Sequence, residues 1–215
     1  MISSNILGSG SAGNGTIINN KILIDAGLPY CLIWPYIYNL QIVLLTHRHS
    51  DHFKPSTVRR LQIVRPGLRF ACCDWMVPLL VQSGIRKENI DVATPKEPLV
   101  YRDFVIEPFL LHHNVPNCGW KVFFRDTEEK LFYATDTGNL DDVVALDYDL
   151  YLIECNHHED EIEARIAAKT ALGEFCYETE AAKNHLSWEK AISWLQENGP
   201  ESTFIPMHQH REKEE

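Results

Sequence analysis

Three histidines and an aspartate fall within six positions of the stretch LLTHRHSDHF, as His47, His49, Asp51 and His52. Imidazole nitrogen suits zinc and other first-row divalent ions, and a carboxylate oxygen suits zinc or harder ions. In an extended loop alternate residues point the same way, so His47 and His49 can share one ion while Asp51 and His52 face a neighbouring position. The bland alternative is a histidine-rich loop that holds no ion. The apolar run IVLLT directly before the cluster argues against it, because a buried strand that delivers polar residues at its end is how α/β architectures present a site.

The chain has ten histidines. The remaining seven are His112, His113, His157, His158, His185, His208 and His210, and each falls at an expected strand end or in a loop. His157 and His158, after LIECN, read equally well as site-lining or as solvated. Asp141, Asp142, Asp147 and Asp149 read as surface or capping residues.

The elements that must position these groups follow from pattern. The short strand ISSNIL is followed by the turn-forming loop GSGSAGNG, then by a hairpin of TIINN and KILID with Asp25 at its end. After IVLLT and the histidines a helix begins at about Pro55, since proline suits a first turn. A strand (LRFAC) and a helix (DWMVPLLVQSG) follow, then the strands DFVIEPFLL, GWKVFFR and KLFYATD. A short helix is expected after Gly138, then the strand YDLYLIE, two helical segments over 158–184, and a helix with Ser187 as N-cap and Gly199 as C-cap. The chain closes on the strand STFIPMH. Two strand-rich halves, each with helices outside, predict an α/β protein of two sheets between helices.

Gly8, Gly10 and Gly13 satisfy GxGxxG, but strand rather than helix follows, and no GK[ST] closes the loop. Both the dinucleotide and the P-loop readings are therefore rejected. A tight loop bringing backbone N–H groups near a site remains.

A length of 215 residues predicts one domain, 1–215, with a sizeable core. The opening lacks a basic, apolar leader and no run reaches the ~20 apolar residues of a membrane span, so a cytoplasmic protein is expected. None of the six cysteines forms a CxxC, which excludes zinc-ribbon and thioredoxin readings and leaves reduced, mostly core thiols. A net charge of −10 disfavours wholesale coating of nucleic acid. Arg59, Arg60, Arg65 and Arg69 nonetheless lie close together, either as a solvated helix face or as a phosphate-contacting patch beside the histidines.

THRHSDH resembles the signature of the metallo-β-lactamase superfamily, and the likeness runs through most of the chain. Asp25 in ILIDAG matches the family's early strand-end aspartate, which buttresses the metal loop. His113 in LLHHNVPNCGW matches the next metal histidine, with His112 as the alternative. Asp136 in YATDTG matches the aspartate that bridges two ions, and His208 in FIPMHQH the last ligand, shadowed by His210. The resemblance implies an αββα sandwich and two divalent ions, zinc favoured over manganese. His47, His49 and His113 would hold one ion, Asp51, His52 and His208 the other, with Asp136 between them.

The bridging aspartate, the glycine-rich opening and the histidine in NHLSWEKA make the chain similar to the small exonuclease-like and tRNase Z-like branch, although no counterpart of the tRNA-gripping arm is evident. The expected activity is hydrolysis of nucleic-acid or nucleotide phosphodiesters, with His185 as general acid and Asp136 in the catalytic centre. Arg59 and Arg60 are candidate substrate contacts. The alternatives are a thioester or lactone hydrolase, a cyclic-nucleotide phosphodiesterase, and a non-catalytic interaction protein. No membrane partner is expected, and a homo-oligomer is left open.

Overall fold

A computed structural model of the chain describes residues 1–209. The first sheet contains β1 (Ser4–Gly8), β2 (Gly15–Ile18), β3 (Ile22–Ile24), β4 (Ile42–Leu44), β5 (Arg69–Cys73) and β6 (Ile90–Ala93), adjacent in that order. Its first three strands run antiparallel and β3 to β6 run parallel. The second sheet contains β7 (Leu99–Val100), β8 (Phe104–Leu111), β9 (Asn117–Phe124), β10 (Lys130–Ala134), β11 (Leu150–Glu154) and β12 (Thr203–Met207). It is antiparallel from β7 to β10 and parallel from β10 to β12.

Period-two patterning decides which face of each strand meets which core. Ile22, Ile24, Ile42 and Leu44 pack between the sheets with Phe104, Ile106, Cys118, Trp120 and Val122. The intervening Leu23 and Val43 point the other way, into a second core beneath α1 (Tyr30–Ile33), α2 (Pro55–Val64) and α3 (Val77–Gln82). Strands buried on both faces read as continuous apolar runs, which is why IVLLT carries no alternation. Behind the second sheet, Phe132, Tyr151 and Ile153 pack on Ala191 and Leu195 of α6 (Trp188–Asn198). The remaining helices are α4 (Glu159–Leu172), which buries only Ile162, and α5 (Glu178–Asn184), linked to it by Lys169 Nζ–Glu178 Oε1 at 2.5 Å. The expected αββα sandwich is the observed fold.

The local differences have local causes. No helix follows Gly138; residues 139–147 form turns pinned by Asn198, whose Oδ1 accepts from Ala145 N and whose carbonyl accepts from Asp147 N. α1, β6 and β7 are four, four and two residues long, too short to impose a period. Gly199 ends α6 in an extended conformation at φ −167° rather than a left-handed one. Ser187 caps α6 as expected, its hydroxyl accepting from Lys190 N at 3.2 Å. Among the described residues no helix is long and apolar enough to cross a membrane.

Candidate metal centre

The histidines and carboxylates collect at one end of the sandwich because β3, β4, β8, β10, β11 and β12 all point their C-terminal ends there. Asp25 follows β3, His47 lies just beyond β4, and His113, Asp136 and His208 follow β8, β10 and β12. Ligands gather outside the carboxyl ends of strands in open α/β sheets for the same reason.

Asp25 organises the loop after β4. Its carboxylate, fully buried, accepts from Thr46 N and Thr46 Oγ1 at 3.0 Å and from His52 Nδ1 at 2.6 Å. The His52 bond fixes that ring and turns its Nε2 inward, as a carboxylate behind a ligating histidine does. Burial alone would push His52 down, but the Asp136 and Asp25 carboxylates outweigh it and hold the imidazole well above its ordinary range. Gly27 permits the close approach of β3's end to this loop, for a Cβ there would stand 1.7 Å from the Asp51 carbonyl oxygen.

The inward-facing atoms form overlapping groups. The imidazoles of His47, His49 and His113 converge, with His113 Nε2 3.3 Å from His49 Nδ1, while His113 Nδ1 donates to the Asn184 carbonyl at 3.1 Å. Asp51, His52 and His208 make a second group. Asp136 lies between: its Oδ2 is 2.5 Å from His52 Nε2 and 3.9 Å from His47 Nε2, and its Oδ1 is 3.4 Å from His208 Nδ1 and 3.3 Å from His185 Nδ1. Burial would raise the Asp136 carboxyl, but His52 and His208 hold it well below the usual range. Asp25, Asp136 and His208 all have left-handed backbone, at φ 61°, 58° and 50°. Such strain in non-glycine residues persists where the surroundings over-determine it, and it clusters at functional sites.

One member of the site is not evident from motif or spacing. Glu154, the last residue of β11, is fully buried, and its Oε1 accepts from His185 Nδ1 at 2.7 Å and from His208 Nδ1 at 3.0 Å. Its Oε2 accepts from Thr137 N at 2.9 Å and Leu186 N at 3.2 Å. The one available signal is a carboxylate ending an otherwise apolar strand, since a buried charge needs partners. Burial opposes the charged form of His185, yet Glu154 and then Asp136 hold its imidazole above the ordinary value. The glycine-rich loop reaches the site through side chains as well as backbone. Asn14 Nδ2 lies 2.7 Å from His52 Nε2, and Ser9 Oγ accepts from His208 N at 2.6 Å.

Residues 20–209 match the family described as the beta-lactamase superfamily domain. The chain belongs to that superfamily. It is 27% identical over 169 residues to the exodeoxyribonuclease WalJ of Streptococcus pneumoniae, covering 71% of this chain and 61% of that one. The match thus spans about three-fifths of that relative's length. Among solved structures, the metallo-beta-lactamase fold protein YhfI from Bacillus subtilis superposes with a TM-score of 0.74 at 19% identity, over 98% of this chain and 87% of that one. The short form of human tRNase Z gives a TM-score of 0.68 at 14% identity, over 98% and 93%. Both structural likenesses concern the fold.

The donors of this superfamily member fit divalent metal. His47 Nε2 and His208 Nε2 are buried without a hydrogen-bond partner, which is costly unless something else satisfies them. The rings are oriented from behind by Thr46, Asp25, Asn184 and Glu154, leaving nitrogen and oxygen donors of the kind zinc and its neighbours accept.

The other singled-out residues lie elsewhere. His112 is exposed and faces Asp142 at 3.8 Å, and His158 is exposed and bonded to Glu189. His157 lines a neighbouring cavity, and His210 lies outside the described residues. On α2, Arg60 sits over the Tyr30 ring at 5.7 Å, while Arg59 lines a surface hollow with Gln82 and Ser83. Arg65 donates to the Ile37 carbonyl and Arg69 pairs with Asp91, so these two arginines serve the fold.

Proposed function

We propose that the chain is a two-metal phosphodiesterase acting on nucleic-acid or nucleotide phosphodiesters. His47, His49 and His113 would hold one ion, Asp51, His52 and His208 the second, and Asp136 would reach both. When bound, such a pair supplies a nucleophilic water at neutral pH and electrostatic stabilisation of the phosphate oxygens.

The observation that carries the reading is the pair His185–Glu154. With Nδ1 bonded to Glu154 at 2.7 Å, the proton on Nε2 is the one His185 can offer to a substrate. In hydrolysis a bond forms between water oxygen and phosphorus and the bond to the leaving oxygen breaks. His185 gives its proton to that leaving oxygen, which would otherwise depart as a basic alkoxide. Glu154 stabilises the imidazolium beforehand and binds His208 through the same oxygen, so the acid and the metal cluster share one anchor. A thioester releases a thiolate that needs no such donor, which favours the phosphodiester over the thioester. The nucleic-acid substrates named for the exonuclease relative and for tRNase Z support the same class.

The metal-loaded protein, assayed in parallel on bis-p-nitrophenyl phosphate and on an acyl thioester, tests the choice. Turnover of the phosphodiester with an inert thioester is expected; the opposite preference would transfer the site to carbonyl chemistry.

A further inference from the structure

Beside the metal cluster lies an open cavity of about 470 Å³, lined by α4, α5, the segment after β11 and the start of α6. That volume is within the range of small-molecule sites, roughly 300–1,000 Å³. Its inner wall adjoins the centre already described. Asn156 donates through Nδ2 to the His208 carbonyl at 2.9 Å, and His157 accepts through its carbonyl from Trp188 N at 2.9 Å, three residues beyond His185. The cavity and the centre are thus neighbours, joined through Asn156 to His208 and through the chain from His185 to Trp188.

We propose that this cavity is a nucleobase subsite, receiving the base of the nucleotide on the leaving-group side of the scissile phosphate. The assignment rests on the phosphodiesterase reading and deepens it. Tyr177 and Trp188 form aromatic walls. The imidazole of His158 lies along the Trp188 indole, 5.7 Å between centroids and 8° from parallel, and both rings line the cavity. At the inner end, His157 Nδ1 is buried without a hydrogen-bond partner, and the Asn156 amide offers both a donor and an acceptor. These are groups that meet the edge of a base.

Charge does not favour a second phosphate as the occupant. Among the described residues the ionisable lining comprises Glu161 and Glu178 against Arg165, which pairs with Glu161 at 3.9 Å, and the histidines. A neutral planar group with polar edges suits such a lining, and aromatic stacking is tolerant of base identity. Because His185 protonates the leaving oxygen, the nucleotide on this side is the one that departs.

The test uses a dinucleoside monophosphate and its analogue lacking the base on the leaving side. Stacking contributes about 1–3 kcal/mol per base, so kcat/KM for the complete substrate should exceed that of the abasic analogue by about 5- to 150-fold. In Trp188→Ala and Tyr177→Ala that ratio should fall towards one, and Trp188→Phe, which keeps a stacking face, should restore most of it. Equal kcat/KM for both substrates in the native protein, or an unchanged ratio in Trp188→Ala, overturns the subsite. Bis-p-nitrophenyl phosphate carries no base. Its hydrolysis together with a ratio of one would sink the subsite alone, whereas inertness towards all three phosphodiesters would sink the phosphodiesterase reading with it.

Discussion

Asp136 meets four histidines, with His47, His52, His185 and His208 all within 3.9 Å of its two oxygens. Asp136→Ala should therefore reduce the metal content measured by elemental analysis and abolish hydrolysis together; native metal content and rate in that variant would remove it from the bridging position. His185→Ala should behave differently. General acid catalysis supplies about 10²–10⁴-fold, so turnover of a nucleotide substrate should fall by that factor while a nitrophenyl ester, whose leaving group needs no proton, keeps most of its rate. Metal content should be retained, and loss of an ion would move His185 into the ligand set. Glu154→Gln separates the two functions again, because Glu154 also orients His208. Metal affinity should drop about 10- to 100-fold, as for other groups behind a ligand, and a titration giving native affinity would show that the shared anchor is dispensable. The motif-borne donors are legible in the sequence because histidine and aspartate at such spacing are rare and adjoin apolar runs. Glu154 and Asn14 are not, since a single acid closing LYLIE or an asparagine in a turn looks like ordinary punctuation.

At the scale of elements, the centre depends on strand ends meeting one loop. At Gly27 β3's end lies hard against the loop after β4. Gly27→Ala must displace Asp51 and should cost about 1–3 kcal/mol of stability, read as a lower melting temperature accompanied by weaker metal binding. A variant with unchanged melting temperature and metal affinity would mean the loop yields freely. Arg59 and Arg60 lie on α2, which leaves that loop. If they meet a polymeric substrate, replacing both by Ala should flatten the dependence of nucleic-acid binding on salt, by about one in slope for each phosphate no longer neutralised. An unchanged slope returns them to the solvated face. The long strands and α2 are legible from apolar runs and a proline at a first turn. The expected helix after Gly138 does not form, because residues 139–147 find their hydrogen bonds in the end of α6 rather than within a helical turn. That preference depends on tertiary packing that no local window contains.

Across the whole molecule, the cores account for the cysteines as well as for the fold. Cys72, Cys73, Cys118 and Cys155 are buried, Cys31 is exposed and Cys176 is partly covered. Burial pushes the Cys72 and Cys155 thiols up to about 12 and Cys118 well above its ordinary range, so at pH 8 these three remain protonated and unreactive. A thiol reagent should modify Cys31 quickly, Cys176 slowly, and the buried four only after denaturation; rapid native modification of any buried thiol would contradict this packing. The superfamily match and the two-sheet fold direct the test to the histidine-rich end of the sandwich. Apoprotein prepared by chelation should be titrated with zinc or manganese while hydrolysis of bis-p-nitrophenyl phosphate is followed. A two-metal site predicts no activity without metal and a plateau at about two ions per chain. Activity that survives chelation, or a chain that binds two ions and leaves the phosphodiester intact, would contradict it.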